Sequence, residues 1–158
     1  MGDHTETLQV DYDPEKITYE ELLEVFWDSH SPTRPSFSTQ YKAVIFYHNQ
    51  EQARAARESR DGLERQYQGK IYTEIQPYTN FYLGEDYHQK YYLQNSGDMA
   101  AEIMSRYPNF PDFVASTAAA RINGYIGGYG DRSSLEADLD GLGLSPAGRD
   151  LLKRLVRR

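Results

Sequence analysis

The chain has 158 residues, no cysteine, and 24 acidic against 17 basic side chains, for a formal charge of -7. That length suits one domain of ordinary size with a small appendage, and without cysteine these residues hold no disulfide, zinc ribbon, iron–sulfur cluster or thiol nucleophile. The acidic field opposes nonspecific adhesion to nucleic acid and to anionic membranes, so neither is expected as a partner.

Met1-Gly2-Asp3-His4-Thr5-Glu6 has no basic stretch followed by an apolar one, and no apolar run approaches the roughly 18 residues of a membrane span. A soluble, cytoplasmic protein is expected. Glu6, Leu8, Val10 and Tyr12 share one parity and Thr5, Thr7, Gln9 and Asp11 the other, which predicts a strand with an apolar face headed by a carboxylate. Asp13-Pro14 ends it, because proline brings no ladder donor. Thr18 and Glu21 have capping-box spacing and Leu22, Leu23 and Phe26 make an apolar stripe, so a helix is predicted over 18–29. Ser31 to Ser38 carries two prolines and no period and reads as an irregular loop. Tyr41 to Tyr47 is a nearly continuous aromatic and branched run, the pattern of a strand covered on both faces and therefore central. Asn49 can cap a long polar helix that ends near Gly69, with Ala53, Ala56, Leu63 and Tyr67 as a thin apolar side. Ile71 to Ile75 is a short strand ended by Pro77.

From Glu85 the pattern is helical, with Tyr87 and Tyr91 on one face and Asn95 or Gly97 available as a left-handed stop. Beyond Pro108 and Pro111 three short helices are predicted: 112–122, 133–142 opened by a Ser133/Glu136 capping box, and 146–156 capped by Ser145. Arg149, Lys153, Arg154, Arg157 and Arg158 make the last helix basic, in keeping with its carboxyl-end dipole. His4, His30, His48 and His88 are scattered, with no pair at the helical spacing of a metal site, and His4 and His88 are expected to form structural hydrogen bonds. Gly124, Gly127, Gly128 and Gly130 follow a helical stretch rather than a strand, which suits an interhelical turn and not a phosphate loop.

His4-Thr5-Glu6, Val10-Asp11-Tyr12-Asp13-Pro14, Phe26-Trp27, His30-Ser31-Pro32-Thr33, Thr39-Gln40-Tyr41, Thr73-Glu74-Ile75 and Glu85-Asp86-Tyr87-His88-Gln89 are seven blocks in one order. In that order they resemble the A-type peptide methionine-S-sulfoxide reductases, over about residues 3–94. The stretch from Ser116-Thr117-Ala118-Ala119-Ala120-Arg121-Ile122-Asn123-Gly124-Tyr125 onward resembles a helical extension found in one branch of that family. The resemblance implies an α+β fold, a two-layer plait related to the ferredoxin-like arrangement and here incomplete, over 1–97, followed by a helical extension over 98–158. It implies reduction of methionine-S-sulfoxide, free or in proteins, with electrons from a thioredoxin-type donor and no bound cofactor or metal.

The family's nucleophile lies in a Gly-Cys-Phe-Trp segment ahead of the His-x-Glu motif, and these residues contain neither that segment nor any cysteine. Sulfur of a sulfoxide becomes more electrophilic as its oxygen gains a proton or hydrogen bonds. The resemblance gives Glu6 the acid role, and its parity predicts a place at the edge of a buried face, where desolvation keeps a carboxyl protonated. Tyr41 and Tyr91 match tyrosines that point phenols at the same oxygen. The family's Asp three residues before Thr-Gln-Tyr is Ser36 here. Its Trp and Phe that hold the substrate methyl have no counterpart, and Trp27, in another block, is expected in the core. No turnover is therefore expected of the chain alone. A shortened or mis-started enzyme accounts for this best; a noncatalytic methionine-sulfoxide binding module and one half of a split enzyme are the alternatives. A plait without its first strand and helix should expose an apolar flank and a strand edge, which predicts marginal stability or self-association.

Overall fold

A computed structural model of the chain describes residues 4–156. Arg157 and Arg158, assigned above to the basic last helix, lie outside the described residues, as do Met1, Gly2 and Asp3. The secondary structure is mixed α+β, and contacts divide the chain into two compact units, 1–81 and 82–158.

In the first unit, α1 (Tyr19–Asp28) opens with the expected capping box, in which Thr18 accepts the Glu21 N–H while Glu21 accepts the Thr18 N–H. Strand β1 (Val44–Tyr47), helix α2 (Gln50–Tyr67) and strand β2 (Glu74–Pro77) form a βαβ unit, with β1 and β2 parallel and Ile45 opposite Ile75. Asn49 caps α2 by accepting the Gln52 N–H at 2.9 Å. Leu23, Trp27, Ile45, Ala56 and Ile71 are the buried centre of this unit. The Trp27 indole N–H donates to Ser59 Oγ at 3.0 Å, so its buried polar atom is satisfied.

Three expectations for this unit are corrected. Residues 5–12 form no strand: Leu8 and Val10 are 83 % and 52 % exposed, and among the described residues the one backbone hydrogen bond from this stretch to another segment is Glu6 N–H to Gln40 O. Alternation makes a strand only where a ladder partner and a covering layer exist, and among the described residues neither is present. Strand β1 is not central, because β2 pairs along one edge and no other strand among the described residues pairs along the second. On α2, Ala53 and Ala56 are fully buried and Leu63 partly so, but Tyr67 at the last position is exposed.

The second unit is helical: α3 (Tyr91–Gln94), α4 (Asp98–Met104), α5 (Phe110–Ala115), α6 (Thr117–Ile126), α7 (Arg132–Asp138) and α8 (Pro146–Leu155). Leu93, Met99, Ile103, Phe113, Ile122, Leu135 and Leu152 carry its core. The helix predicted from Glu85 is broken, because Asp86–His88 is a single 3-10 turn and Lys90 is left-handed at φ 50°, so Tyr87 and Tyr91 share no helical face. The helix predicted over 112–122 is two, split at Ser116, whose extended backbone ends α5 while its hydroxyl accepts the Ala119 N–H to start α6. Helix α4 has no counterpart among the predicted elements. Helix α7 begins earlier than expected, capped by Asp131, which accepts the Ser134 N–H at 2.7 Å; a charged carboxylate at a helix start also gains from the dipole. Ser145 caps α8 as predicted, accepting the Gly148 N–H at 3.0 Å.

Candidate functional site

Glu6 and Tyr41 are held in one neighbourhood by hydrogen bonds that cross 34 positions of sequence. The Glu6 N–H donates to Gln40 O at 2.9 Å, Gln40 Nε2 donates to Glu6 Oε1 at 2.7 Å, and Thr5 Oγ1 donates to Thr39 O at 3.0 Å. The first motif block is thus laced to the Thr39-Gln40-Tyr41 block by both main chain and side chains. The burial expected of Glu6 is absent, since its side chain is exposed along with the rest of the uncovered segment. Tyr41 is 67 % exposed, so its phenol is available to a ligand.

Ser36, at the position of the family's aspartate, is occupied locally: its hydroxyl donates to Ser38 O at 2.9 Å and accepts the Ser38 N–H. Beside it, the loop from Arg34 to Thr39 together with Lys42, Tyr72 and Glu74 lines an open cavity of about 330 Å³, whose lining includes neither Glu6 nor Tyr41. Lys42 Nζ lies 2.7 Å from Glu74 Oε2 across its wall.

Two further motif blocks meet at His30. Its Nδ1 contacts Phe26 O and its Nε2 contacts Thr73 Oγ1, each at 2.9 Å. A carbonyl only accepts, so Nδ1 carries a proton, and in the neutral ring Nε2 accepts from the Thr73 hydroxyl. With the Tyr72 N–H on Pro32 O at 2.8 Å, this fastens the end of α1 and the loop after it to the approach to β2. Thr73 is the buried polar side chain of that junction. Both residues stand in motif blocks, yet nothing in their spacing shows that they pair.

Tyr91 belongs to the second unit, where it opens α3 with its side chain 55 % exposed. Before it, Lys90 holds a left-handed backbone, and burial lowers the affinity of its ammonium for the proton. After it, the Leu93 N–H donates to Asn123 Oδ1 of α6 at 3.1 Å. Asn123 stands in the block that resembles the helical extension, yet nothing in its spacing shows that it pairs with Leu93. Among the described residues no group of three or more His, Cys, Asp or Glu could hold a metal, and no helix is long and apolar enough to cross a membrane.

An α+β unit that ties a Glu-bearing segment to a Thr-Gln-Tyr block, followed in sequence by a helical unit that carries a further tyrosine, is matched by two family models. The one described as peptide methionine sulfoxide reductase covers residues 1–119, and the one described as the helical domain of selenoprotein methionine sulfoxide reductase A covers 111–157. The chain belongs to the peptide methionine sulfoxide reductase family. It is 40 % identical to a peptide methionine sulfoxide reductase of Drosophila melanogaster over 152 residues, which is 94 % of this chain and 60 % of that protein. A peptide methionine sulfoxide reductase MsrA of Methanosarcina acetivorans is 45 % identical over 96 residues, 56 % of this chain and 51 % of the relative. One from Rhodopirellula baltica is 35 % identical over 137 residues, 84 % of this chain and 65 % of the relative. The chain thus spans between half and two thirds of the length of these relatives.

Proposed function

We propose that these residues carry the oxygen-facing side of a methionine-S-sulfoxide reductase site and that the thiol for the reaction comes from outside them. The observation that supports this most is the hydrogen-bonded lacing of Glu6 to Gln40, which sets the family's acid next to the block that bears Tyr41. In this reading Tyr41 donates its phenol proton as a hydrogen bond to the sulfoxide oxygen, the resemblance alone gives Tyr91 a donor role toward that oxygen, and Glu6 delivers the proton that the oxygen takes up as negative charge develops on it. The thiolate attacks the sulfoxide sulfur to form a transient sulfur–sulfur bond; the protonated oxygen then passes from the sulfoxide sulfur to the attacking sulfur as that bond and the original sulfur–oxygen bond break. Methionine leaves as the thioether, and the thiol, having given up two electrons, becomes a sulfenic acid. A thioredoxin-type dithiol then returns it to the thiol and releases water.

No hydroxyl or carboxylate can take up that two-electron change, so the 158 residues, which contain no cysteine, are inert by themselves. The purified polypeptide with methionine-S-sulfoxide and dithiothreitol should form no methionine above a blank without protein. Adding a polypeptide with the Gly-Cys-Phe-Trp segment should yield turnover that Glu6→Gln abolishes. Turnover by the chain alone refutes the need for an outside thiol. Unchanged turnover by Glu6→Gln in the completed pair refutes the role of Glu6.

A further inference from the structure

Short helix α3 has only four residues, too few to hold a backbone conformation of its own. It also follows a non-glycine residue in the left-handed region, Lys90 at φ 50°, a conformation that persists only where surrounding structure imposes it. Two side chains impose it within this unit. Gln94 Nε2 donates back to Asp86 O at 2.6 Å and also to Gln89 O, tying α3 to the 3-10 turn. From the other direction, Asn123 on α6 accepts the Leu93 N–H at 3.1 Å, next to a Leu93 side chain that is wholly buried.

Close packing adds a third restraint. A β-carbon on Gly127, at the end of α6, would lie 2.7 Å from Cδ2 and 2.8 Å from Cε2 of Tyr92, nearer than real β-carbons come. The backbone of Gly127 is ordinary, with φ -71°, so what the site requires is space and not a left-handed conformation. Tyr92 packs its edge against the Tyr91 ring, with centroids 5.8 Å apart and planes at 77°. An amide acceptor and a missing side chain on one helix therefore determine where the turn carrying Tyr91 sits.

We propose that α6 of the helical extension is a positioning element for Tyr91, acting through Asn123 and Gly127. The inference rests on the reading of Tyr91 as a donor to the sulfoxide oxygen. Hydrogen-bond donors stabilise a developing charge only when fixed in advance, and four residues after a strained linkage cannot fix one unaided. Asn123 and Gly127 touch no reacting atom in this scheme; they act through Leu93 and Tyr92.

The test uses the whole chain with ring-labelled tyrosine, the Tyr91 resonances being assigned by their loss in Tyr91→Phe. Asn123→Ala removes the acceptor, Asn123→Asp keeps it, Gly127→Ala fills the space under Tyr92, and Val156→Ala trims the same core away from α3. Asn123→Ala and Gly127→Ala should move the Tyr91 ring signals, and Asn123→Ala should speed exchange of the Leu93 amide by about tenfold, as expected for one lost hydrogen bond. They should also slow turnover of L-methionine-S-sulfoxide in the pair completed with the Gly-Cys-Phe-Trp polypeptide, while Asn123→Asp restores all three readouts and Val156→Ala leaves the Tyr91 signals in place. Unmoved Tyr91 signals in folded Asn123→Ala and Gly127→Ala, or equal movement in Val156→Ala, overturn the positioning role. Should Asn123→Ala fail to fold, Gly127→Ala and Asn123→Ser carry the same comparison. Unchanged turnover by Tyr91→Phe in the pair completed with the Gly-Cys-Phe-Trp polypeptide overturns the role assigned to Tyr91, an outcome the tyrosine spectrum separates from loss of positioning.

Discussion

Gly148 stands in the first turn of α8, where replacing glycine by alanine ordinarily stabilises a helix by up to about 1 kcal/mol. Here the opposite is expected. A β-carbon on Gly148 would lie 2.5 Å from Cδ and from Oε1 of Glu102, so the carboxylate must leave its place. In that place Oε1 accepts the Ser145 N–H at 2.7 Å and the Arg106 guanidinium at 3.2 Å. Burial opposes the charge on Glu102, but the Ser145 N–H and Arg106 outweigh it and hold the carboxyl below its usual range. A hydrogen bond from a part-buried N–H to a charged acceptor contributes about 1.5–3 kcal/mol, whereas the half-exposed Arg106 pair contributes roughly 0.5 kcal/mol. Setting these losses against the helix gain, Gly148→Ala should destabilise by about 1–2.5 kcal/mol. In a Glu102→Ala background the clash is gone, and the same substitution should stabilise by up to about 1 kcal/mol. Urea denaturation followed by circular dichroism on the four proteins of the cycle reads both values. Gly148→Ala stabilising in both backgrounds refutes the coupling. The folded carboxyl titrates below its unfolded value, so the Glu102 contribution is present above the ordinary carboxyl range and is lost as pH falls through the depressed folded value.

At the other end of the pH scale, burial first and then the hydrogen bond to Asp138 push the Tyr125 hydroxyl from 10.0 up to about 12. Its protonated form is favoured by folding, so that contribution is complete below the unfolded value of 10.0 and is lost as pH rises through about 12. Denaturation midpoints should fall over that interval, and Tyr125→Phe should flatten the fall; an equal slope in the variant contradicts the assignment. Ser59→Ala leaves the Trp27 indole N–H without its acceptor and should cost about 1–3 kcal/mol in denaturation experiments, while a loss below 0.5 kcal/mol would show that water replaces the hydroxyl without penalty. Thr73→Val keeps shape but removes the hydroxyl that meets His30, and should destabilise the first unit by about 1–2 kcal/mol, read by the same method; no change would mean that the junction is held by packing alone.

The caps of α1, α2 and α8 were legible because each is a contract between residues three apart: Thr18 with Glu21, Asn49 with Gln52, Ser145 with Gly148. The family was legible for a related reason, since its seven blocks are strings of neighbours in order. Alternation from Glu6 to Tyr12 misled because a period says which side chains share a face and nothing about whether another strand or layer covers it. The break at Lys90 has the same origin: a left-handed lysine is strained on its own, and only the grip of Gln94 and Asn123 on either side of Tyr91 makes it tolerable. By itself, then, the sequence determined membership of the family, the lack of a thiol and the local starts of helices. Tertiary structure alone decided that Glu6 is exposed yet laced to Gln40, that His30 meets Thr73, and that Asn123 reaches Leu93. Those depend on groups 30 or more positions apart, whose encounter is set by the packing of whole surfaces and not by any pattern within a few residues.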